Sequence, residues 1–485
     1  MSIPGLGQIP VQQTPSTTRT ITLKPLWEWR FESPFPSSTS TGGHTLASSS
    51  LAPPTTSPSS SSSTTAPPTS LTVKLTSGTA ERDGTELALG KPYVLAGAKS
   101  KISTLTGCTL EVSGPCDDYV AECEDPDDWP AVSYLNLHFA LQNQRWRAAS
   151  GGVGPRVLIA GAPASGKSTL ARTLLALATR QDGGQQPVGV GLDPRDGMLS
   201  LPGTVSAAVF GSVMDVETGG AGVADTPSSG PAAVPVKVPV VYYYGRQRVE
   251  DEPAAWRTAV SALAGAVRGR REVDGEVRRA GVVVDAPAVG VGKDGVGLLV
   301  HVVEEFAVNV VVVLGSGRLN AELQKSLGQM RTSLGEPITV VQLDKSEGVV
   351  ERDEAFMQQT REAAIKEYFF GDAKMTLSPA TQQVEFGAVT IYKIPDLSEY
   401  LADEEVLEKM EPVPEMAHWC LTVMNASVRD PLETIRYASV MGFVYVADVE
   451  PERRRLKILA PVSGRLGDRP LVWGHWPEPH INLLG

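Results

Sequence analysis

Several features are scarce or missing in this chain of 485 residues, and each absence removes a class of protein. The four cysteines, Cys108, Cys116, Cys123 and Cys420, lack both C-x-x-C spacing and a supporting histidine pattern, so neither a zinc site nor a disulfide framework is predicted. No uncharged apolar run reaches about 18 residues, and the N-terminus lacks the charged and apolar regions of a signal peptide. We therefore expect a soluble protein, made in the cytosol, with reduced cysteines.

An excess of positive charge is also missing. The chain has 43 Lys and Arg residues against 55 Asp and Glu residues, a formal net charge of −12. A protein that binds nucleic acid mainly by covering phosphates with Lys and Arg has the opposite balance. Any contact with RNA is therefore expected to be local.

The segment around which the sequence is organised is PRVLIAGAPASGKSTLARTLL, from Pro155 to Leu175. It predicts a buried strand, a glycine-containing loop and a helix, which is the setting of a phosphate-binding P-loop. We expect Lys167 to reach the β- and γ-phosphates of a nucleotide and the Ser168 hydroxyl to bind Mg²⁺. The predicted phosphate-binding residues are Gly161, Ala164, Ser165, Gly166, Lys167, Ser168 and Thr169.

A P-loop needs a carboxylate to hold the metal together with the serine. Asp193 closes the predicted strand PVGVGLD and is the predicted second Mg²⁺ ligand, with a turn cap before Pro194 as the alternative. Asp196, in the same turn, is a weaker candidate for a base or a water-mediated ligand. No N-K-x-D signature is present, so a GTPase interpretation lacks its base-specific contact.

Composition and periodicity predict an α/β fold with three domains. Short alternating runs near the N-terminus predict a small β domain, and β-branched runs alternating with helical segments predict a parallel sheet covered by helices. Strands with turns return near the C-terminus. The predicted segments are a flexible N-terminus (1–19), an N-terminal β domain (20–128), a P-loop ATP-binding domain (129–371) and a β-rich C-terminal domain (372–485).

Two low-complexity stretches interrupt this order. Residues 33–70 are almost entirely Ser, Thr, Pro, Gly and Ala, a composition that cannot bury enough apolar area to offset the entropy of ordering. We predict a disordered insertion there, inside a hairpin of the β domain, just after a single half-buried strand from Ile21 to Glu32. The Gly-, Ala- and Pro-rich stretch from about residue 217 to residue 235 is predicted to be a mobile loop.

Six separated motifs, in this order, resemble those of the Clp family of polynucleotide 5′-hydroxyl kinases. The resemblance covers nearly the whole chain and implies ATP and Mg²⁺ as cofactors and a catalytic P-loop domain flanked by two smaller domains. Some members phosphorylate RNA 5′ ends. The motifs are LKPxxExRFE-like residues at Leu23 to Glu32, GTAERDGTEL at Gly78 to Leu87, YLN before the P-loop, LDxxxGxxxxPG at Leu192 to Gly203, EGVVERDEAF at Glu347 to Phe356 and IKEYFFG at Ile365 to Gly371.

For fungal members, the resemblance implies a nuclear, ATP-bound, non-catalytic subunit of pre-mRNA cleavage factor IA. Its implied partners are the scaffold subunit that contacts RNA polymerase II and other 3′-end processing subunits, with indirect or weak RNA contact and no membrane. The resemblance also places the N-terminal domain over the base. Glu32 matches the family position that contacts adenine. Lys99 matches a second contact of this domain, although Lys101, two residues on, could occupy that position instead. The alternative for both Glu32 and Lys99 is an ordinary solvated strand residue.

The sequence departs from active family members at two places. Gly290, in PAVGVGKDGVG, stands where the resemblance implies a tryptophan that stacks on the terminal RNA base. Arg352 matches the first lid arginine, but Met357 stands in the place of the second, which stabilises the transferring phosphoryl group. The P-loop is intact, so we predict ATP binding without turnover and no catalytic residues, the ATP stabilising the interdomain arrangement that docks the scaffold subunit.

Two alternatives stay open. The chain could be an active ATP-dependent RNA 5′-hydroxyl kinase whose substrate contacts have moved to Arg318, Lys325 or Lys293. It could instead be a P-loop ATPase switch unrelated to RNA processing, if the resemblance of the flanking domains is accidental.

Overall fold

The computed structural model describes residues 18–35, 70–125, 129–181, 184–217, 239–372, 376–396, 406–464 and 466–484. Nearly all of the predicted flexible N-terminus, the Ser/Thr/Pro insertion and the predicted mobile loop lie outside these ranges. The chain divides into two compact units. One is drawn from Met1–Ala80 and Leu87–Ala121, and the other from Glu81–Glu86 and Glu122–Gly485.

The first unit is an antiparallel β-sandwich. One sheet has the strand order β1-β8-β3-β6, and in the other β2 pairs with β7 and β9. Alternate residues of β3 are buried, which agrees with the prediction of strands that have one face on a core. The strands, including a hairpin (β4 and β5) that belongs to the second unit, are β1 (Arg19–Leu23), β2 (Glu28–Glu32), β3 (Leu71–Gly78), β4 (Glu81–Arg82), β5 (Thr85–Glu86), β6 (Pro92–Leu95), β7 (Lys99–Ser103), β8 (Cys108–Ser113) and β9 (Asp117–Ala121).

Two local predictions in this unit are wrong. The stretch from Ile21 to Glu32 is not one strand, because Pro25 and Leu26, which has a φ of 69°, turn the chain between β1 and β2. β1 and β2 consequently lie in different sheets. Neither does the Ser/Thr/Pro insertion lie inside a hairpin, since β2 and β3, which flank it, pair with different strands.

The second unit is built on a seven-stranded sheet with the order β13-β12-β11-β14-β10-β15-β16. Helices α1 and α2 pack on one face, and α3, α5 and α6 pack on the other, so the predicted α/β architecture is confirmed. The elements are α1 (Pro130–Arg147), β10 (Arg156–Gly161), α2 (Lys167–Thr179), β11 (Val188–Gly191), β12 (Thr204–Val209), β13 (Val240–Tyr243), α3 (Pro253–Val273), α4 (Gly275–Ala280), β14 (Val282–Asp285), α5 (Lys293–Glu305), β15 (Val310–Leu314), α6 (Gly317–Leu327), β16 (Thr339–Leu343) and α7 (Glu354–Phe370).

The sheet is parallel except for β12. The neighbouring pairs β11/β14, β14/β10, β10/β15 and β15/β16 are parallel, whereas β12 is antiparallel to both β11 and β13. The sequence analysis did not predict β12, TVSAAV, whose small residues give a weaker strand signal than the valine runs of β14 and β15. Because the parallel strands share one direction, their carboxyl ends meet at one edge of the sheet, where the P-loop lies.

The C-terminal part of this unit is a second seven-stranded sheet, β17-β22-β21-β20-β23-β18-β19, in which only β18 and β23 pair in parallel. Helix α7 packs against it: the Tyr368 hydroxyl accepts a hydrogen bond from the backbone N–H of Phe443 at 2.9 Å. The predicted β-rich C-terminal domain is thus confirmed. Its elements are β17 (Ala380–Glu385), β18 (Ile391–Lys393), β19 (Glu408–Met410), β20 (Cys420–Met424), α8 (Leu432–Arg436), β21 (Val440–Glu450), β22 (Arg455–Ala460) and β23 (Leu471–Trp473).

Within the described ranges, no helix combines the length and apolar character that crossing a membrane requires.

Candidate nucleotide-binding site

The P-loop connects the buried strand β10 to helix α2. Gly166, the residue before the helix, has a φ of +91°, a conformation in which a side chain would be strained. Gly161 ends β10, and a Cβ added there would lie only 2.7 Å from Ser165 Oγ and 2.9 Å from the Leu314 carbonyl oxygen. The two glycines therefore allow the tight turn that the sequence motif predicts.

Three features of this loop fit a polyphosphate. Helix α2 has no side-chain cap at its N-terminus, so its first N–H groups remain available to an anion. Ser165 Oγ is buried and has no hydrogen-bond partner in the described ranges, which is costly without a ligand. Lys167 is 8% exposed, and its Nζ donates a hydrogen bond to the Ala162 carbonyl oxygen at 2.9 Å.

Burial lowers the pKa of Lys167 because it removes water from the ammonium group. The nearby carboxylates of Asp285 and Asp193 act in the opposite direction. A positive charge held at the mouth of an uncapped helix, with only a carbonyl as hydrogen-bond acceptor, is arranged for an anionic ligand.

Asp285 is the site residue that the sequence analysis missed. It ends β14, the strand next to β10, and lies opposite Ile159 in the register. The Ser168 hydroxyl donates a hydrogen bond to the Asp285 carboxylate, and one carboxylate oxygen, Oδ1, has no partner in the described part of the chain. Asp285 is thus placed to share a metal ion with Ser168.

Loss of hydration raises the pKa of Asp285 to about 6, and the Asp193 carboxylate adds to this shift. Lys167 and the hydrogen bond from Ser168 oppose it. The sequence held the signal, because GVVVDA (Gly281 to Ala286) is a buried β-branched run that ends in an aspartate.

Asp193 lies at the same edge of the sheet but is already paired. The Arg195 guanidinium binds it bidentately, with Nε to Oδ1 at 3.0 Å and Nη2 to Oδ2 at 2.6 Å. The backbone N–H of Arg195 also donates to Asp193 Oδ1 at 3.1 Å. The turn-cap alternative from the sequence is therefore present in the structure, together with an ion pair that the sequence analysis did not anticipate.

The hydrogen bonds and charge of Asp193 raise the pKa of Arg195, which keeps the guanidinium fully charged. The side chain of Asp193 is 13% exposed and that of Arg195 is 38% exposed. A partly buried, bidentate pair of this kind is stronger than an exposed ion pair. Asp193 can act as a base or bind a metal only if this pair opens.

A third carboxylate, Asp196, and the lid arginine Arg352 complete the charged groups. Loss of hydration and repulsion by Asp193 raise the pKa of Asp196 to about 7, while Arg195 and Arg352 lower it. Burial lowers the pKa of Arg352, with Asp196 opposing that shift. The Arg352 guanidinium carbon also lies 5.9 Å from the centre of the Phe356 ring. Arg352 therefore belongs to the charged cluster at this edge.

At the two positions that depart from the active kinases, one residue is exposed and the other is partly buried. Gly290 is exposed, and no heavy atom lies within 4 Å of a Cβ added to it. Met357 lies in the first turn of α7, which Asp353 caps by accepting a hydrogen bond from the Phe356 N–H at 2.8 Å. Nothing in either place supplies the aromatic ring or the second guanidinium.

The predicted base contacts lie in the first unit. Glu32 and Lys99 face each other across β2 and β7, and Lys99 Nζ is 3.0 Å from Glu32 Oε1. The Glu32 side chain is 49% exposed. Lys101 pairs with Glu28 instead, so the lysine beside Glu32 is Lys99 and not Lys101. The contact of either side chain with adenine stays a prediction.

The hairpin of β4 and β5 packs on the P-loop helix. Asp83, at its tip, forms a salt bridge of 3.3 Å with Arg172 of α2, and both side chains are about nine-tenths buried. Arg180, near the end of α2, pairs with Glu81 at 3.2 Å and with Glu86 at 3.1 Å. The hairpin therefore restrains the helix that carries Lys167 and Ser168.

We predict that Asp83→Ala destabilises the P-loop unit by about 3 kcal/mol, because it removes the carboxylate that forms a salt bridge with the largely buried Arg172 guanidinium. Glu86→Ala is the matched control. It removes a carboxylate that is 61% exposed from the same hairpin, and is expected to cost less than about 1 kcal/mol. Urea unfolding followed by tryptophan fluorescence measures both. Equal losses for the two variants would contradict the prediction.

A mostly parallel sheet with a P-loop, a buried lysine and a paired serine and aspartate at its carboxyl edge defines a P-loop protein. Matches to protein-family models identify one family within this class. The model described as "mRNA cleavage and polyadenylation factor CLP1 P-loop" matches residues 161–371, "Pre-mRNA cleavage complex II protein Clp1" matches residues 377–478, and "N-terminal beta-sandwich domain of polyadenylation factor" matches residues 62–148. The chain belongs to the family of mRNA cleavage and polyadenylation factor CLP1.

Relatives of known name agree. The chain is 54% identical to "mRNA cleavage and polyadenylation factor CLP1" of Chaetomium globosum and 50% identical to the protein of that name from Pyricularia oryzae, each over the whole of both chains. It is similar in fold, at 24% identity and a TM-score of 0.77, to a structure described as "Structure of wild-type Clp1p-Pcf11p (454 -563) complex", with 95% of this chain and 98% of that chain covered. The resemblance inferred from the sequence motifs is confirmed.

Proposed function

We propose that this protein is the ATP-binding, catalytically silent CLP1 subunit of the nuclear machinery that cleaves and polyadenylates pre-mRNA 3′ ends. The names of its relatives support the process. The single observation that carries the silence is the pairing of Asp193 with Arg195 beside an intact phosphate-binding loop. The loop can bind a triphosphate, whereas the aspartate placed to accept a proton is engaged by a guanidinium.

ATP and Mg²⁺ fit the residues of the site. Ser168 and Asp285 would hold Mg²⁺, which usually keeps several waters and takes only one or two protein carboxylates along with phosphate oxygens. In keeping with this, the described residues contain no cluster of three or more Asp, Glu, His or Cys side chains able to form an all-protein cage. Bound Mg²⁺ supplies positive charge to the β- and γ-phosphates. Asp193, predicted from the sequence as a ligand, is neutralised by Arg195 instead.

Three groups that phosphoryl transfer requires are absent or engaged. Gly290 offers no ring on which an RNA base could stack, and Met357 offers no charge to the transferring phosphoryl group. Asp193 would have to lose its bidentate partner before it could accept a proton. Since ground-state contacts tighten ATP without lowering the barrier, this arrangement favours retention of ATP over its turnover.

Bound ATP is proposed to have a structural role. If Glu32 and Lys99 contact the adenine while Lys167 holds the phosphates, a single ligand engages both units and stabilises one arrangement of them. We propose that this arrangement docks a scaffold subunit of the Pcf11 type. The titles of two similar structures support the proposal: one names the Clp1p–Pcf11p complex and the other an interface between these proteins together with "ATP loss" in a point mutant.

The test is to identify the nucleotide after gentle purification and then to assay its fate. We expect intact ATP in the released nucleotide and no label on a 5′-hydroxyl RNA oligonucleotide incubated with γ-labelled ATP. An empty site, steady conversion of ATP to ADP, or label transfer that Lys167→Ala abolishes would each refute the silent-subunit proposal.

A prediction about pH and metal follows from Asp285. A carboxyl group whose pKa rises from 3.8 to about 6 on folding binds protons more tightly in the folded state, so its contribution to stability falls as the pH rises through that range. At pH 7.5, in the absence of nucleotide and Mg²⁺, Asp285→Asn is expected to stabilise the protein by about 1 to 3 kcal/mol. Below pH 4 the gain should disappear.

The same variant is expected to bind ATP at least tenfold more weakly in the presence of Mg²⁺, because a metal ligand is lost. Calorimetric titration with and without EDTA, together with thermal unfolding, measures the two opposite effects. Asp294→Asn, which changes an exposed carboxylate of α5, is the control and should alter neither. Unchanged Mg²⁺ dependence in Asp285→Asn would exclude Asp285 as a ligand.

A further inference from the structure

A cluster of arginines lies away from the nucleotide site, at the opposite edge of the central sheet. Arg268 and Arg271 lie in the last turns of α3, and Arg278 and Arg279 lie in α4, which leads into β14. Arg156 begins β10 beside them, whereas the P-loop follows the end of that strand. The length of β10 separates the two places by about 16 Å. We call these five residues the arginine cluster.

Two members of this cluster form no ion pair with any residue that the structure describes. Arg156 pairs with Glu336 and donates to carbonyl oxygens at 2.9 Å, and Arg268 donates to the Glu305 carbonyl oxygen at 3.3 Å. Arg271 and Arg279, in contrast, make no hydrogen bond or ion pair within the described ranges. The Nε atoms of both are buried without an acceptor.

The cluster also repels itself. Burial lowers the pKa of Arg271 to about 10, and the positive charges of Arg156, Arg278 and Arg268 contribute to the shift, against Glu336. The dipole of α3 favours arginines near its C-terminal end, which helps to account for Arg268 but does not supply Arg279 with a partner. An anion bound between these guanidinium groups would relieve the repulsion.

The acidic side chains nearby are already used. Asp274 caps α4 by accepting from the N–H groups of Glu276 and Val277, and it pairs with Arg270 at 2.5 Å. Glu276 accepts a hydrogen bond from Gln186 at 3.0 Å. Neither carboxylate forms an ion pair with Arg271 or Arg279, so the positive charge remains available to a ligand.

A cavity and an exposed aromatic ring adjoin the arginines. The cavity, of about 390 Å³, has Arg278 and Arg279 among its lining residues and Ala148 and Ala149 in its wall. Trp146, two residues before that wall, is 64% exposed. The end of α1 is fixed to the end of α4 because Arg145 Nε donates to the Ala280 carbonyl oxygen at 2.9 Å. This bond joins the end of α1, which carries Trp146, to the end of α4, which carries Arg278 and Arg279.

We infer that this surface binds single-stranded RNA, the arginines contacting phosphates of the backbone and Trp146 stacking on a base. Guanidinium forks match phosphate oxygens, and charged grooves interleaved with aromatic rings bind single strands with little sequence preference. A partner peptide with acidic residues would also satisfy the charge, but protein interfaces are built on clusters of large apolar anchors, and among the residues that line the cavity Val273 is the one large apolar side chain. The inference goes beyond the proposed function and does not depend on bound ATP.

The experiment is fluorescence anisotropy of a labelled oligouridylate of about 12 nucleotides with the full chain, over a range of salt concentrations. We expect the double variant Arg271→Ala/Arg279→Ala to weaken binding at least tenfold and to reduce the slope of log affinity against log salt by about 1.4, the value for two phosphate contacts. Trp146→Ala should weaken binding about fivefold or more with the salt slope unchanged.

Arg453→Ala is the matched control, since it removes an arginine that is 74% exposed from the turn between β21 and β22, outside the cluster, and it should leave binding unchanged. The double Lys variant, Arg271→Lys/Arg279→Lys, keeps the charge and should keep most of the salt slope; together with Trp146→Ala it tests the surface even if the Ala variant fails to fold. RNA binding that neither Arg271→Ala/Arg279→Ala nor Trp146→Ala weakens, displacement of RNA by saturating ATP, or binding of polyglutamate in place of RNA would overturn the inference. The result is independent of whether the protein transfers phosphate.

Discussion

Lys167→Ala is expected to empty the nucleotide site. The Lys167 ammonium group is buried and donates to a loop carbonyl, and within the described ranges Ser165 Oγ of this loop has no hydrogen-bond partner and helix α2 has no side-chain cap. One of the three Nζ donors is bonded to the Ala162 carbonyl oxygen, so the loss of Lys167 removes two charge-assisted hydrogen bonds to the phosphates, each contributing about 1.5 to 3 kcal/mol. We therefore expect the affinity for ATP to fall by a factor of about 10² to 10⁴.

The measurement is the nucleotide content of the purified variant, by chromatography of the released ligand, followed by calorimetric titration with ATP. Lys325→Ala, which changes an exposed lysine of α6, is the control and should retain ATP. The variant also tests the proposed link to the partner: if ATP stabilises the arrangement that docks the scaffold subunit, Lys167→Ala should recover less scaffold in a binding assay. A variant that lost ATP but bound the scaffold normally would separate these two claims and refute the second.

The contiguous elements of this site could be predicted from the sequence, whereas the side chains that strand pairing brings to it could not. The P-loop follows from local spacing, because strand, glycines, lysine and helix are contiguous, and the structure places all of them as expected. Asp285 also ends a predicted strand, but its role depends on β14 pairing with β10, a contact between segments about 125 residues apart. One sequence does not give strand order, so the pattern alone does not distinguish Asp285 from Asp193, which also closes a predicted strand.

Arg195 illustrates a different limit. It is two residues from Asp193, and such a spacing is compatible with either a solvent-exposed arginine or a bidentate pair. Which of these occurs depends on the turn that Pro194 and Gly203 help to form, where the Gly203 N–H donates to the Pro194 carbonyl oxygen at 2.7 Å. Similarly, Pro25 and Leu26 divide an alternating run into two strands of different sheets. In both cases backbone geometry at a turn decides the outcome, and periodicity carries little information about it.

Supplying the two missing groups and freeing Asp193 from its ion pair is expected to make the protein a kinase. In the triple variant Gly290→Trp/Met357→Arg/Arg195→Ala, the tryptophan provides a surface for an RNA base, the arginine faces the transferring phosphoryl group, and Asp193 is released from its ion pair. An arginine with this duty contributes a factor of about 10³ to 10⁵ in rate. The open space around Gly290 and the position of Met357 in the first turn of α7 allow both larger side chains without repacking of the core.

The assay is transfer of label from γ-labelled ATP to a 5′-hydroxyl RNA, for which the wild type should give no signal and the triple variant a rate at least about 10³ above the detection background. Arg195→Ala alone should free the base and yet transfer little, since the transition-state charge remains unstabilised without the arginine. Adding Lys167→Ala to the triple variant is the control that must abolish transfer. If the triple variant binds ATP and RNA but stays inactive, the silence has a cause beyond these residues, and the pairing of Asp193 with Arg195 loses the role assigned to it.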